Sequence, residues 1–455
     1  MKRIAMRSLT IWLLVLLLLG GLGFFLVEYV MHSKEWVMSQ GSPHIYKGDK
    51  TTANGVFLDR EGILLLDTTN GRTYGATEEL RSSMIHWLGD RYGYISAPAV
   101  SAYTNEMSGY DMLTGLYAGV DGGKATLTIS SRLQMVAQEA MGDRKGTVAL
   151  MNYRTGEILC ALSTPNYDPD HVPNLAADDT GAYEGVYMNR FTQSVYIPGS
   201  IFKIVTTAAA LEEIEDIREQ TFTCTGEVDY GEYDVTCEKK HGELDFDSAM
   251  AQSCNCAYAQ IVEQLGKEKL AACVKKYAVT ESVTFDGITT AKGNFDLTDT
   301  SRLDVAWSGI GQHKDQINPC RYLTFISAIA NDGREVQPYV VQSVSNSVRK
   351  TYTAETKKGD RIMSEEIAEE LQRMLRNNVT EKYGVDSFPD DLEVCGKTGT
   401  AQVGGEKKAT AMFAGFLQNE DYPIAFFAAV EDSGYGREIC IPILYEVLEA
   451  CKEIL

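Results

Sequence analysis

Positive charge is what this chain of 455 residues has least of: 42 lysines and arginines face 63 aspartates and glutamates, a formal charge of −21. Nucleic-acid binding needs clustered basic side chains to neutralise phosphates, so that class of function is excluded, and the acidity reads as a solvated surface. Internal repeats and low-complexity tracts are missing as well, and with 44% apolar residues the chain is not a disordered tail. Histidine is scarce, six scattered residues, and Cys254 and Cys256 stand too close together for a zinc half-site. The expectation is therefore no metal and no cofactor.

Long apolar runs are rare too, except for one. Residues 9–27 are unbroken enough to cross about 30 Å of hydrocarbon as a helix. Lys2, Arg3 and Arg7 precede the run, so by the positive-inside rule residues 1–8 stay in the cytoplasm and everything after about residue 31 lies outside the membrane. A cleaved signal peptide is the competing reading. The run exceeds the usual signal length, and Glu28-Tyr29-Val30 offers no small-residue cleavage pattern, so the anchor, residues 9–31, is preferred. On an exported chain ten cysteines invite disulfides. Cys160, Cys273, Cys320, Cys395, Cys440 and Cys451 sit singly among apolar neighbours and read as small buried residues. Cys224 and Cys237 bracket the polar, turn-prone stretch 225–236 and form the disulfide candidate.

Three short strings carry most of the chemistry: Ser200-Ile201-Phe202-Lys203, Ser253-Cys254-Asn255, and Lys397-Thr398-Gly399-Thr400. In that order they read as a serine acyl-transfer site whose base is a lysine. A nucleophilic serine needs a neighbour to take its proton, and a lysine three residues on along a helix lies one turn away on the same face. A second Ser-x-x-Lys, Ser347 to Lys350, fails on context, since it follows the Ser253 string and sits among turn residues. Ser200 follows Pro198-Gly199 and opens the alanine-rich run 201–211, which places it at a helix N-terminus where free N–H groups favour developing negative charge. A plain helix cap would explain Ser200 alone; it does not explain three strings in order.

The remaining pattern is mixed. Residues 131–141 are amphipathic as a helix, and 146–163 read as two strands joined at Arg154-Thr155-Gly156. Residues 168–315 are mostly helical patterns and loops, and 393–403, 410–417 and 424–431 are strand-like before a last helix over 441–454. The predicted architecture is α+β: an antiparallel sheet flanked by helices, with an all-helical subdomain across a cleft where the three strings meet.

The chain resembles the class B penicillin-binding proteins, monofunctional peptidoglycan D,D-transpeptidases, from about residue 126 to the end. Beyond the three strings the resemblance rests on Thr126-Leu127-Thr128-Ile129 with Leu133-Gln134, on Asn189-Arg190-Phe191-Thr192-Gln193, on Gly311-Gln312 with Pro319, and on Phe413-Ala414-Gly415-Phe416 ahead of Glu431. Ile197 stands where the family usually has a second proline, and residues 54–68 match its N-terminal pattern poorly. The resemblance implies a serine β-lactamase-like transpeptidase fold over 125–455, with 32–124 a small membrane-proximal module. Those about 90 residues are too few for a glycosyltransferase domain.

It further implies roles. Ser200 would attack the penultimate D-Ala carbonyl of a stem peptide, Lys203 would accept its proton, Ser253 would relay a proton to the departing D-Ala, and Asn255 would hold Lys203 or the substrate amide. Lys397 would lower the basicity of Lys203; Thr398 and Thr400 would bind the terminal carboxylate; Gly399 would let the Ser200 helix approach. β-Lactam antibiotics would trap Ser200, and a membrane glycan polymerase would be the partner. A D,D-carboxypeptidase or β-lactamase shares the strings but admits water, and a scaffold with a vestigial site is the reading from outside enzymology.

Overall fold

The computed structural model describes residues 2–37, 55–69, 71–107, 110–111, 115–116, 122–231, 233–346, 350–402 and 408–455. Ser347, the second Ser-x-x-Lys serine, lies outside them. The first helix, Lys2–Val37, contains the stretch Ile4–Ser33, long and apolar enough to cross a membrane, with its hydrophobic side chains exposed.

At the centre of the chain's C-terminal portion is a five-stranded antiparallel sheet in the order Val394–Ala401, Thr410–Leu417, Ile424–Val430, Gly146–Asn152, Ile158–Thr164. Its middle strands are apolar at nearly every position because both faces are covered. Successive side chains go to opposite faces. Phe413, Phe426, Val148 and Leu150 pack with the helices Ser131–Met141 and Gly436–Ile454, while Met412, Ala414, Phe427 and Ala149 share a core with Pro319–Ala330. The last helix thus starts five residues before its expected position. Val394–Ala401, which holds the third string, is an edge strand.

A second sheet joins the expected membrane-proximal module to the rest. Gly55–Leu58 pairs in parallel with Gly123–Leu127, which pairs on its other side with Val341–Ser345. The expected boundary at 124/125 therefore cuts a strand, and the two parts share one core around Phe57, Leu66, Ala125, Leu127 and Val341. The sequence hid this because pairing partners 68 positions apart on one side of Gly123–Leu127 and more than 200 on the other leave no local signal.

Beside the edge strand, the Ser200 helix Lys203–Glu213 packs against Asn255–Lys276 and Arg302–Ile310. This subdomain is not all helical. Thr221–Cys224 pairs with Gly242–Asp245, Glu227–Asp229 with Asp234–Thr236, and Thr284–Phe285 with Ile288–Thr289. Strands of two to four residues rich in polar side chains lack the alternating pattern by which longer strands are read.

Candidate active site

Ser200 stands in a single 3-10 turn, Gly199–Phe202, that runs into the α-helix Lys203–Glu213. The turn starts at Gly199 with φ +56, a left-handed conformation that disfavours side chains. A Cβ there would meet the Thr400 carbonyl oxygen at 2.8 Å. Gly399 serves the same approach from the other side, since a Cβ on it would sit 3.0 Å from Ile201 Cγ2 and from the Pro198 carbonyl. Strand and nucleophile turn are thereby brought into backbone contact.

The Lys203 ammonium site is fully enclosed. Nζ lies 3.3 Å from Ser200 Oγ, 2.7 Å from the Ser253 carbonyl, 3.1 Å from Ser253 Oγ and 2.7 Å from Asn255 Oδ1. Two of these neighbours, the carbonyl and the amide oxygen, can only accept. A neutral amine has two N–H groups for them, and its lone pair is left for a hydroxyl proton. Burial, and then the positive charge of Lys397, pushes the Lys203 pKa down to about 7. Burial, with Lys382 adding to it, takes Lys397 to about 7 as well. The recorded partners of Lys203 Nζ among the described residues include no carboxylate.

Ser253 is held in a left-handed conformation, φ +53, between the helix Phe246–Ala251 and the cap of Asn255–Lys276. Strain of this kind persists where neighbours over-determine it. Cys254 caps the helix, its Sγ accepting from the Ala257 N–H at 3.4 Å, and Asn255 Nδ2 donates to the Thr236 carbonyl at 2.9 Å.

On the edge strand, Lys397 is buried, and its Nζ donates to the Thr398 carbonyl at 3.1 Å. The Thr398 hydroxyl is 3.0 Å from Tyr383 Oη, which also accepts from the Thr398 N–H at 3.0 Å. The Thr400 hydroxyl accepts from the Gly436 N–H at 3.3 Å, and the Thr400 carbonyl accepts from Gln312 Nε2 at 2.8 Å. Tyr383 escaped the sequence reading because it lies in a π-helical turn, Val379–Tyr383, without a motif of its own. Gln312 was visible as part of Gly311-Gln312 but not as the clamp on the third string.

The expected Cys224 to Cys237 disulfide is not what the structure holds. All ten cysteines are free thiols, and both Cys224 Sγ and Cys237 Sγ point at Nδ1 of His241, 3.5 Å away in each case. A third group stands between the two thiols, and it comes from outside the bracketed loop.

Residues 146–449 match the family of the penicillin binding protein transpeptidase domain. The chain belongs to that family, and its relatives set it among the class B members. It is 28% identical over 72% of its length to stage V sporulation protein D of Bacillus subtilis, covering 53% of that protein. It is also 28% identical over 71% of its length to the peptidoglycan D,D-transpeptidase PbpA of Mycolicibacterium smegmatis, covering 70% of it. Among solved structures, the D,D-transpeptidase domain of a peptidoglycan glycosyltransferase from Eggerthella lenta superposes with a TM-score of 0.73 at 25% identity, over 89% of this chain and 99% of that one. Penicillin-binding protein A from M. tuberculosis as its imipenem acyl-enzyme superposes at 0.74 and 22% identity, over 88% and 99%, a likeness of fold.

Proposed function

We infer that the chain is a serine D,D-transpeptidase that cross-links peptidoglycan stem peptides, with Ser200 as the acyl carrier. The observation that carries this is the Lys203 amine, enclosed and poised near neutrality within 3.3 Å of Ser200 Oγ. Ser200 Oγ attacks the penultimate D-Ala carbonyl while its proton passes to Lys203 Nζ. The backbone N–H groups of Ser200 and Thr400 receive the oxyanion. As the C–N bond breaks, Ser253 Oγ, 3.1 Å from Nζ, hands its proton to the nitrogen of the departing D-Ala and takes in exchange the proton held by Lys203, while Asn255 holds the amine in place. An amine of a neighbouring stem peptide then takes the acyl group. An extended donor peptide lies along the edge strand Val394–Ala401, where it displaces side chains that now occupy the outward backbone groups, Tyr383 on the Thr398 N–H and Gln312 on the Thr400 carbonyl, and where Thr398 and Thr400 bind its carboxylate.

The same chemistry makes β-lactams covalent inhibitors at Ser200. The first helix anchors the protein with residues 1–8 in the cytoplasm and the catalytic portion outside, beside a membrane glycan polymerase. Residues 32–124 are proposed as a membrane-proximal module despite the strand they share with the domain that follows.

The test uses full-length protein in detergent, a fluorescent penicillin, and a stem peptide ending in D-Ala-D-Ala with an acceptor amine. Expected are a penicilloyl adduct on the Ser200 peptide by mass spectrometry, lost in Ser200→Ala, and more transfer than hydrolysis product. An adduct on another serine, or water as the preferred acceptor at every amine concentration, overturns the reading.

A further inference from the structure

Four metal-ligand side chains converge beside the second string. Sγ of Cys224, Cys237 and Cys254 and a ring nitrogen of His241 all lie within 4.8 Å of one another. They come from different elements. Cys224 ends the strand Thr221–Cys224, Cys237 follows Asp234–Thr236, His241 directly precedes Gly242–Asp245, and Cys254 caps Asn255–Lys276. Cys224 and Cys254 are buried, the other two partly so.

The distances discriminate between explanations. A disulfide needs about 2.05 Å between sulfurs. Tetrahedral zinc, at about 2.3 Å from sulfur and about 2.0–2.1 Å from nitrogen, sets sulfurs about 3.8 Å apart and sulfur and nitrogen about 3.6 Å apart. Here Cys237 Sγ and Cys254 Sγ are 3.8 Å apart, and Cys224 Sγ and Cys237 Sγ are each 3.5 Å from Nδ1 of His241. One imidazole lone pair cannot serve two thiol protons well, whereas an ion at the centre satisfies all four groups. We propose that Cys224, Cys237, His241 and Cys254 form a structural zinc site that holds the Ser253–Asn255 string in its catalytic position.

Three thiolates and a neutral imidazole select a soft, tetrahedral divalent ion, and four protein ligands close the site against substrate. On binding, the three thiol protons leave to solvent, and the centre carries a net charge of −1. The site replaces the sequence expectation of no metal. Its ligands are spread over thirty residues with a single histidine, so no short-spacing pattern marks them. Its position gives it a task. Cys254 lies between Ser253 and Asn255, and Cys237 follows Thr236, whose carbonyl receives Asn255 Nδ2 at 2.9 Å. The ion therefore pins both ends of the contact that orients Asn255 toward Lys203. It also protects three thiols on an exported chain from oxidation.

The experiment takes full-length protein, purified in detergent from zinc-replete cells under mild reductant, and counts metal by plasma mass spectrometry. One zinc per chain is expected. Cys237→Ser and His241→Gln each lower zinc affinity by about tenfold or more, while Cys273→Ser, a buried thiol further along the helix Asn255–Lys276, keeps the metal. Should the ligand variants not fold, cobalt replacing zinc in the wild-type chain decides: tetrahedral ligand-field bands with thiolate charge transfer support the site. Stripping the ion slows penicillin acylation of Ser200, and added zinc restores it. Folded, penicillin-reactive wild-type protein without metal and without the cobalt spectrum overturns the proposal, as does a Cys237 to Cys254 disulfide in zinc-replete protein. Metal content and cobalt spectrum need no turnover, so their failure leaves the Ser200 mechanism standing.

Discussion

The Gly199 N–H donates to the Gly311 carbonyl at 2.8 Å, tying the turn that carries Ser200 to the end of the helix Arg302–Ile310. Gly311 has φ +85, and a Cβ on it would fall 2.3 Å from the Gly199 carbonyl oxygen. The nucleophile is thus placed by two left-handed residues in contact, with Gln312 reaching on to Thr400.

Gly311→Ala should therefore damage catalysis more than its size suggests. The left-handed backbone alone costs about 1–3 kcal/mol with a side chain, and the clash displaces the Ser200 turn. Urea unfolding should report the loss, and fluorescent penicillin a slower acylation. An unchanged acylation rate would show that the Gly199 to Gly311 tie does not position Ser200.

Arg190 and Glu431 join the first part of the catalytic domain to the end of its third strand. Arg190 Nε donates to Glu431 Oε1 at 2.8 Å with the arginine 2% and the glutamate 29% exposed, and Tyr196 Oη donates to the same oxygen at 2.8 Å. Removing the carboxylate leaves a buried guanidinium short of a counter-charge. Glu431→Gln should cost about 2 kcal/mol, less than the about 3–5 of a fully enclosed pair because water reaches the glutamate. A change under about 0.5 kcal/mol in urea titration would mean that the pair is neutral for stability.

The base makes a pH prediction. Lys203 must be neutral to take the Ser200 proton, and its pKa stands at about 7, against 10.5 for a free lysine. Acylation should rise as pH climbs through about 7 and then level. Stability follows the same residue with a definite sign. Between about 7 and 10.5 the unfolded chain binds more protons at this site than the folded one, so the cost of burying Lys203 is complete below about 7 and fades as pH rises. Acylation that falls through the neutral range would exclude Lys203 as the base.

Much of this was legible in the sequence where function confines several residue types to one short string. Ser200, Lys203, Ser253, Asn255 and Lys397 were singled out as strings, and the structure places Ser200, Ser253 and Asn255 within hydrogen-bond reach of the Lys203 amine. The hairpin of Gly146–Asn152 and Ile158–Thr164 was legible because alternation and a Thr-Gly turn are local signals. What stayed hidden was held together by long-range pairing. Gly123–Leu127 takes partners from both sides of its expected boundary, Tyr383 reaches Thr398 from a turn without a motif, and His241 stands between two cysteines that by spacing alone looked like partners.

Asn255 offers the most discriminating substitution, because its two ends do different things. Oδ1 accepts from Lys203 at 2.7 Å, and Nδ2 donates to the Thr236 carbonyl at 2.9 Å. Asn255→Asp keeps the shape, places a negative charge against the Lys203 amine, and turns the second contact into oxygen facing oxygen. The charge favours the ammonium, so the pKa of Lys203 rises and the acid limb of acylation moves up by about one pH unit or more. At neutral pH the variant should acylate about tenfold more slowly, and part of that loss should return in alkaline buffer. Asn255→Ala adds no charge; it loses rate through misplacement of the amine and keeps the wild-type limb. Rate profiles with a fluorescent penicillin separate the two. If both variants keep the wild-type midpoint, the Asn255 side chain does not tune the base; if both are as fast as wild type at neutral pH, it does not position it either.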